Sequence, residues 1–327
     1  MKLSDCLTRT ECACSLISEG EFESLEQCTR IHGSKALTFL ESPEYLSALE
    51  APGISCVICT PELQKRLPAH IGGILVTETP KAAFFRIHNF LVRHREKRPT
   101  VIDPSAAVSP LAYVAPYNVE IGPGVEIQPF VTVNENSILM EGVRVCAGTV
   151  IGAQGFTVVK EKGDKAFIVL DAGKTVLEQG VQIGSSCSIE CGSMQCDVTR
   201  IGAYSMIDNG VLVGHGSVIG RRGLVAAETI ISGNCVFGDR LWCGVNATVS
   251  NAVTVGDDVR ISLGAVVTRD VPAGETVTGN FAIPHRIFMR NLKQSLLEDT
   301  DGGQTPPPRG HCEESSPAPH ELRKEAA

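Results

Sequence analysis

The chain has 327 residues, a formal net charge of −8, 5% aromatic residues, 32 glycines and one tryptophan. That length can bury a large core and hold more than one domain, and the acidic balance gives a general nucleic-acid role no electrostatic support. The first twenty residues lack the basic start and apolar stretch of a secretory signal, and no run nears the roughly 18 apolar residues of a membrane helix, so a cytoplasmic protein with no transmembrane segment is expected.

Residues 1–100 read as a small α/β domain. Leu3 to Ile17 has a helical pattern, and Lys35 to Leu40 reads as a strand. Ser42 followed by Pro43 is an N-cap with a proline at the first helical position, so a helix starts there. Gly53–Thr60 and Gly73–Thr77 read as strands, and Lys81–His94 as a helix with Phe84, Ile87, Phe90 and Leu91 on one face. Cys56 and Cys59 form a C-x-x-C inside the apolar run from Ile54. With no second ligand pair at zinc-site spacing, they read as buried thiols, and no metal is expected. The chain has thirteen cysteines, and Cys187, Cys191, Cys196, Cys235 and Cys243 fall among tightly spaced repeats, where a thiol serves as a small hydrophobe.

From residue 101 a period of six takes over. Ile102, Val108 and Val114 begin it, and Ile121, Ile127, Val133, Leu139, Val145 and Ile151 continue it. From Ile183 to Val267 the same phase holds, with Gln195 and Cys243 as its two breaks. Ile183-Gly184, Ile201-Gly202, Ile219-Gly220, Phe237-Gly238 and Val255-Gly256 recur once in every three hexapeptides. Three hexapeptides per triangular coil make a parallel β-helix, with each aliphatic pointing into the prism and the next coil about 4.8 Å away. The period fails between Gly152 and Gln182, which is expected to extrude a hairpin. The coils run to 282. Residues 283–299 read as a helix carrying Arg286, Arg290 and Lys293, and the Gly-, Pro- and Ser-rich tail 300–327 as disordered.

Residues 101–280 contain one histidine, His215, in Val213-Gly214-His215-Gly216. It lies two residues past a prism-filling valine, so it projects outward near a corner. It is the only group in the coils whose unperturbed pKa suits a general base near neutral pH. One coil later stands Gly233, whose backbone N–H is a plausible oxyanion donor for acyl transfer. A solvated surface histidine is the alternative. One histidine cannot supply the three metal ligands that hexapeptide carbonic anhydrases need. Phe39 and Tyr45 bracket Glu41-Ser42-Pro43 and read either as a stacking pair for a flat base or as core aromatics.

Taken in this order, the chain resembles the UDP-3-O-(3-hydroxyacyl)glucosamine N-acyltransferases of lipid A biosynthesis. Thr38-Phe39-Leu40-Glu41-Ser42-Pro43-Glu44-Tyr45 is similar to that family's T-F-x-x-N-P-x-Y. Val150 to Phe156 resembles its V-V-G-A-D-G-F, and Ile207-Asp208-Asn209 with Val213 to Gly216 its I-D-N and I-A-H-N. The resemblance implies a left-handed parallel β-helix with a uridine-binding N-terminal domain and a C-terminal helix, assembled as a homotrimer without a cofactor. It implies His215 as the base for the sugar 2-amine and the Gly233 N–H for the oxyanion. It puts Phe39, Ser42, Tyr45, Asp208 and Asn209 at the UDP-linked amino sugar. Arg286, Arg290 and Lys293 would meet an acyl carrier protein thioester donor. The family pattern is altered at Ser42, at Gly214 and Gly216, at Ile189-Glu190-Cys191-Gly192 in place of I-D-R-G, at Asn134-Glu135-Asn136 in place of Tyr-His-Glu, and at Ala252 in place of a histidine. The same chemistry on another nucleotide-linked amino sugar, from a carrier-protein or coenzyme A thioester, is a second reading. A non-catalytic nucleotide-sugar binder is a third.

Overall fold

A computed structural model describes residues 1–301, apart from 11, 162, 164, 280 and 281. The tail expected from residue 300 lies, from 302 on, outside the described residues. At the N-terminus α1 (Leu3–Arg9) is followed by a five-stranded sheet. Its strands are β1 (Ser15–Ser18), β2 (Ser24–Leu25), β3 (Ala36–Leu40), β4 (Ile54–Cys59) and β5 (Gly73–Val76), in the order β1-β5-β4-β3-β2. β2 to β5 pair in parallel, and β1 is the antiparallel edge. Parallel strands are covered on both faces and so read as unbroken apolar runs, as β3 and β4 do. The helix expected from Leu3 to Ile17 therefore ends early. Leu3 and Cys6 make a buried stripe one turn long, the Thr10 hydroxyl donates to the Cys6 carbonyl at 2.8 Å, and β5 offers Ser15 to Ser18 a backbone to pair with.

Ser42 caps a 3-10 helix over Pro43–Glu50, its hydroxyl accepting the Glu44 N–H at 3.4 Å. Cys56 and Cys59 are both buried, but they belong to the two separate apolar clusters that flank the sheet and cannot share a ligand. Burial pushes the Cys59 thiol up to about 11, as for a group that stays protonated. The helix α2 (Pro80–Arg93) buries a wider face than its pattern suggested. Phe85, His88 and Asn89 are buried along with Phe84 and Ile87, while Phe90 and Leu91 are less deeply placed.

Residues 101–277 form a left-handed parallel β-helix with faces of nine, eight and eight short strands. The aliphatic of each hexapeptide, with the small residue two places before it, fills the prism as one continuous core. Corners repeat a left-handed residue three places after the aliphatic, such as Gly216 at φ +67° and Asn234 at +60°.

Two expectations change inside the prism. The interruption is shorter than 152–182, because Lys174–Leu177 already pairs with Ser137–Leu139 and Val198–Ile201 as part of a prism face. Only the antiparallel pair Val158–Lys160 and Ala166–Ile168 stands out as a hairpin. Ile183 and Ile201, although a whole number of coils apart by the period, lie on different faces. Ile183 is in register with Ile207, and Ile201 with Leu177 and Ile219. The cause is a second extrusion, the loop between the strands Ser188–Glu190 and Val198–Ile201. It adds one period's worth of residues and so preserves the phase. Gln195 broke the pattern because it is exposed in that loop, whereas Cys243 remains inside the prism.

Hairpin and loop both lean on the N-terminal domain. Val159, Val169 and Met194 join the cluster built from α2 and the sheet. Arg86 forks onto Glu161 at 2.8 and 2.9 Å, the Asn89 amide exchanges bonds with Ile168 O and Leu170 N, and His88 Nε2 donates to Leu170 O at 2.7 Å. The C-terminal helix α3 spans His285–Asp301. Among the described residues no helix is long and apolar enough to cross a membrane.

Candidate active site

His215 sits on the corner after the strand Leu212–Val213, where the prism turns from one face to the next. Stacking puts the next coil directly over it. A Cβ built on Gly233 would lie 2.7 Å from His215 Nε2 and Cε1, so only glycine fits above the ring. Gly214 serves the same close approach, since a Cβ there would meet the Gly233 nitrogen at 2.5 Å, and Gly216 supplies the left-handed corner. The flanking glycines thus let the coils close on each other.

On the other side of the ring stands Glu190. Its Oε2 accepts the His215 backbone N–H at 2.8 Å and lies 3.2 Å from Nδ1. Both side chains are mostly shielded, at 21% and 15% exposure. A carboxylate on Nδ1 favours the tautomer in which that nitrogen donates and Nε2, the atom beneath Gly233, accepts. In the sequence Glu190 had stood out only as a replacement within a motif. Its position one coil below His215 was hidden by the extra loop, which lengthens the coil between them by a full period.

The hairpin contributes a second carboxylate. Asp171 Oδ2 accepts the Gly155 N–H at 2.6 Å. A Cβ on Gly155 would stand 3.1 Å from Glu190 Oε2, 3.1 Å from His215 Nδ1 and 3.3 Å from Asp171 Oδ2, so the three groups converge on one glycine. Burial raises the Asp171 carboxyl to about 6, with the Gly155 N–H pulling the other way.

The ring opens into a cleft lined by the N-terminal domain (Arg30, Phe85), the loop (Ser193, Met194) and the next coils (Asn234, Ala252). Arg30 Nη1 donates to Asn234 Oδ1 at 2.9 Å across that cleft. Ala252, where the resembled family has a histidine, leaves the far wall without a titratable group at that position.

The other expected residues lie elsewhere. The Phe39 ring stands 5.0 Å from Phe84 and 6.0 Å from Phe85, within the aromatic core under α2, while Tyr45 is two-fifths exposed on the 3-10 helix. Neither they nor Ser42 line the His215 cleft. Asp208 and Asn209 occupy the corner one face before His215. There Asp208 Oδ1 accepts the Asn209 N–H, and Asn209 Oδ1 accepts the Ser185 N–H at 2.7 Å. Arg286, Arg290 and Lys293 lie on α3 at a spacing that aligns them on one side.

The profile of the family described as LpxD, UDP-3-O-(3-hydroxymyristoyl) glucosamine N-acyltransferase, matches residues 32–90. A UDP-3-O-acylglucosamine N-acyltransferase of Granulibacter bethesdensis is 36% identical over 293 residues, 80% of this chain and 84% of that one. The chain belongs to the UDP-3-O-acylglucosamine N-acyltransferase family. It is therefore an N-acyltransferase of the lipid A pathway. The family's enzyme from Maricaulis maris is 47% identical over 150 residues, 46% of this chain and 43% of its own. Among solved structures, a Francisella novicida UDP-N-acetylglucosamine acyltransferase superposes with a TM-score of 0.45 at 23% identity over 59% of this chain and 71% of that one.

Proposed function

We propose that the chain transfers a 3-hydroxyacyl group from an acyl carrier protein thioester to the 2-amine of a UDP-3-O-acylglucosamine, in lipid A biosynthesis. The observation that carries this reading is His215 Nε2 facing Gly233 while Nδ1 faces Glu190. The free amine attacks the thioester carbonyl, and His215 Nε2 takes the proton that the nitrogen sheds. The Gly233 N–H meets the oxyanion. Collapse of the tetrahedral intermediate expels the thiolate, which takes the proton from His215 and leaves as the carrier thiol. No metal or cofactor enters these steps.

Phe39, Ser42 and Tyr45 would hold the uridine, and Asp208 and Asn209 the sugar of a neighbouring prism in a homotrimer. The outward apolar ladder Met206, Leu224 and Trp242 on one prism face supports such packing. Arg286, Arg290 and Lys293 offer a cationic side to an acidic carrier protein. A cytoplasmic location belongs to the same proposal.

The test is turnover of UDP-3-O-acylglucosamine with 3-hydroxyacyl thioesters of carrier protein and of coenzyme A, wild type beside His215→Ala. The variant is expected to lose about 10²–10⁴ in kcat, as for a missing general base. Inert wild type that still binds UDP would overturn the acceptor. Preference for coenzyme A thioesters would overturn the donor.

A further inference from the structure

His215 and Glu190 complete a base and its orienting group, yet the hairpin carries one more acid into the same few ångströms. Asp171 Oδ1 and the Ser193 hydroxyl of the loop are both buried and outside hydrogen-bond geometry, with Ser193 still near enough to favour the carboxylate. Burying an ionisable group costs stability, and such groups cluster at functional sites. Oδ2 is committed to the Gly155 N–H, and Gly155 is the residue against which His215 Nδ1 and Glu190 Oε2 both lie.

We propose that Asp171 is a positioning residue for the transfer, pinning Gly155 against the His215–Glu190 pair and supplying the second negative charge beside which the His215 imidazolium forms. It does not line the cleft and touches no substrate; it acts through His215. The proposal rests on the reading of His215 as the base. Each carboxylate near the ring favours its protonated form, so the base becomes stronger as Asp171 ionises.

The groups facing Asp171 are few. His215 and Glu190 come from the prism, together with the Cys191 thiol, which burial and the Asp171 charge push up to about 12, so that it stays protonated. Ser193 comes from the loop, and Arg95, after α2, reaches Cys191 electrostatically while paired to Glu135 at 2.8 Å. Of these, His215 is the group whose charge changes during the reaction. The proton arithmetic is unaltered: His215 Nε2 receives one proton and returns it to the thiolate, and Asp171 keeps its charge throughout.

The test is Asp171→Asn, which retains an oxygen for the Gly155 N–H but removes the charge. The plateau kcat is expected to fall about tenfold with KM within twofold, the split for a group that acts on the transition state alone. In the wild type two ionisations, His215 and Asp171, shape the acidic limb of kcat/KM, whose logarithm is steeper than a slope of one over the range in which both titrate. The variant is expected to show a slope of one, with the limb moved about one unit toward lower pH. A ring-proton titration of His215 by NMR in both proteins should show the same displacement without any turnover. A lower plateau with an unmoved limb and an unmoved His215 titration would reduce Asp171 to a structural residue and overturn the proposal, as would wild-type kinetics in the variant. If the wild type itself turns over no acceptor, the reading of the reaction fails, and the His215 titration alone decides this inference.

Discussion

The prism is interrupted twice on its way to His215, and the two interruptions differ in how they meet the period of six. The hairpin after Ala153 shifts the phase, so the repeats on either side no longer align. The loop from Cys191 to Asp197 adds a whole period and leaves every aliphatic in step. Both lean on the N-terminal cluster and both bring groups to the histidine: Asp171 from the first, Ser193 and Met194 from the second. A solenoid reports its insertions only modulo its repeat, because the stacked coils constrain what re-enters the prism and not what leaves it.

That difference can be pressed experimentally. Excising 191–196 joins Glu190 to Asp197 and turns the two periods between Ile189 and Ile201 into one ordinary hexapeptide. Circular dichroism should still report a folded β-helix, while turnover falls by about 10², the scale of a cleft wall displaced by an ångström or more. Loss of the fold would show that the loop is a structural part of the coil. The hairpin is held by contacts instead of register. Asn89→Ala leaves Leu170 N and Ile168 O without their partner and is expected to cost about 2 kcal/mol in denaturant unfolding, with a parallel loss of activity. Unchanged stability would mean that the hairpin docks by its apolar side alone.

The smallest effect is one of sign. Asp171 keeps its proton to about pH 6 when folded, above its ordinary 3.8, so the folded state binds that proton more tightly and the wild type loses stability as pH rises from about 4 to 6. Asp171→Asn is therefore expected to raise Tm by a few degrees at pH 8, with the gain fading toward pH 4. A gain independent of pH would remove the buried charge as its cause. Stabilisation paired with slower turnover is the usual signature of a group retained for function.

The prism was legible because its chemistry repeats: an aliphatic every six residues leaves no other reading for its interior. His215 was legible as the lone histidine of the coils, and Gly233 because a single uninterrupted coil separates the two. Glu190 was not, because the loop displaced it from the expected offset. Asp171 was not, because it reaches the site from a segment with no period at all. Phe39 and Tyr45 are close in sequence, but β3 turns one ring into the core while the 3-10 helix carries the other outward. Periodicity places what repeats; tertiary docking places what does not.

α2 has a consequence for how the molecule would respond to a ligand. Phe84 and Phe85 touch Phe39, and one turn further along stand His88 and Asn89, which grip the hairpin that carries Asp171. A single helix thus joins the aromatic cluster to the hairpin that carries Asp171. A ligand that settles against Phe39 more tightly with the hairpin docked than undocked must favour docking. By thermodynamic reciprocity, docking must then tighten that ligand by the same factor.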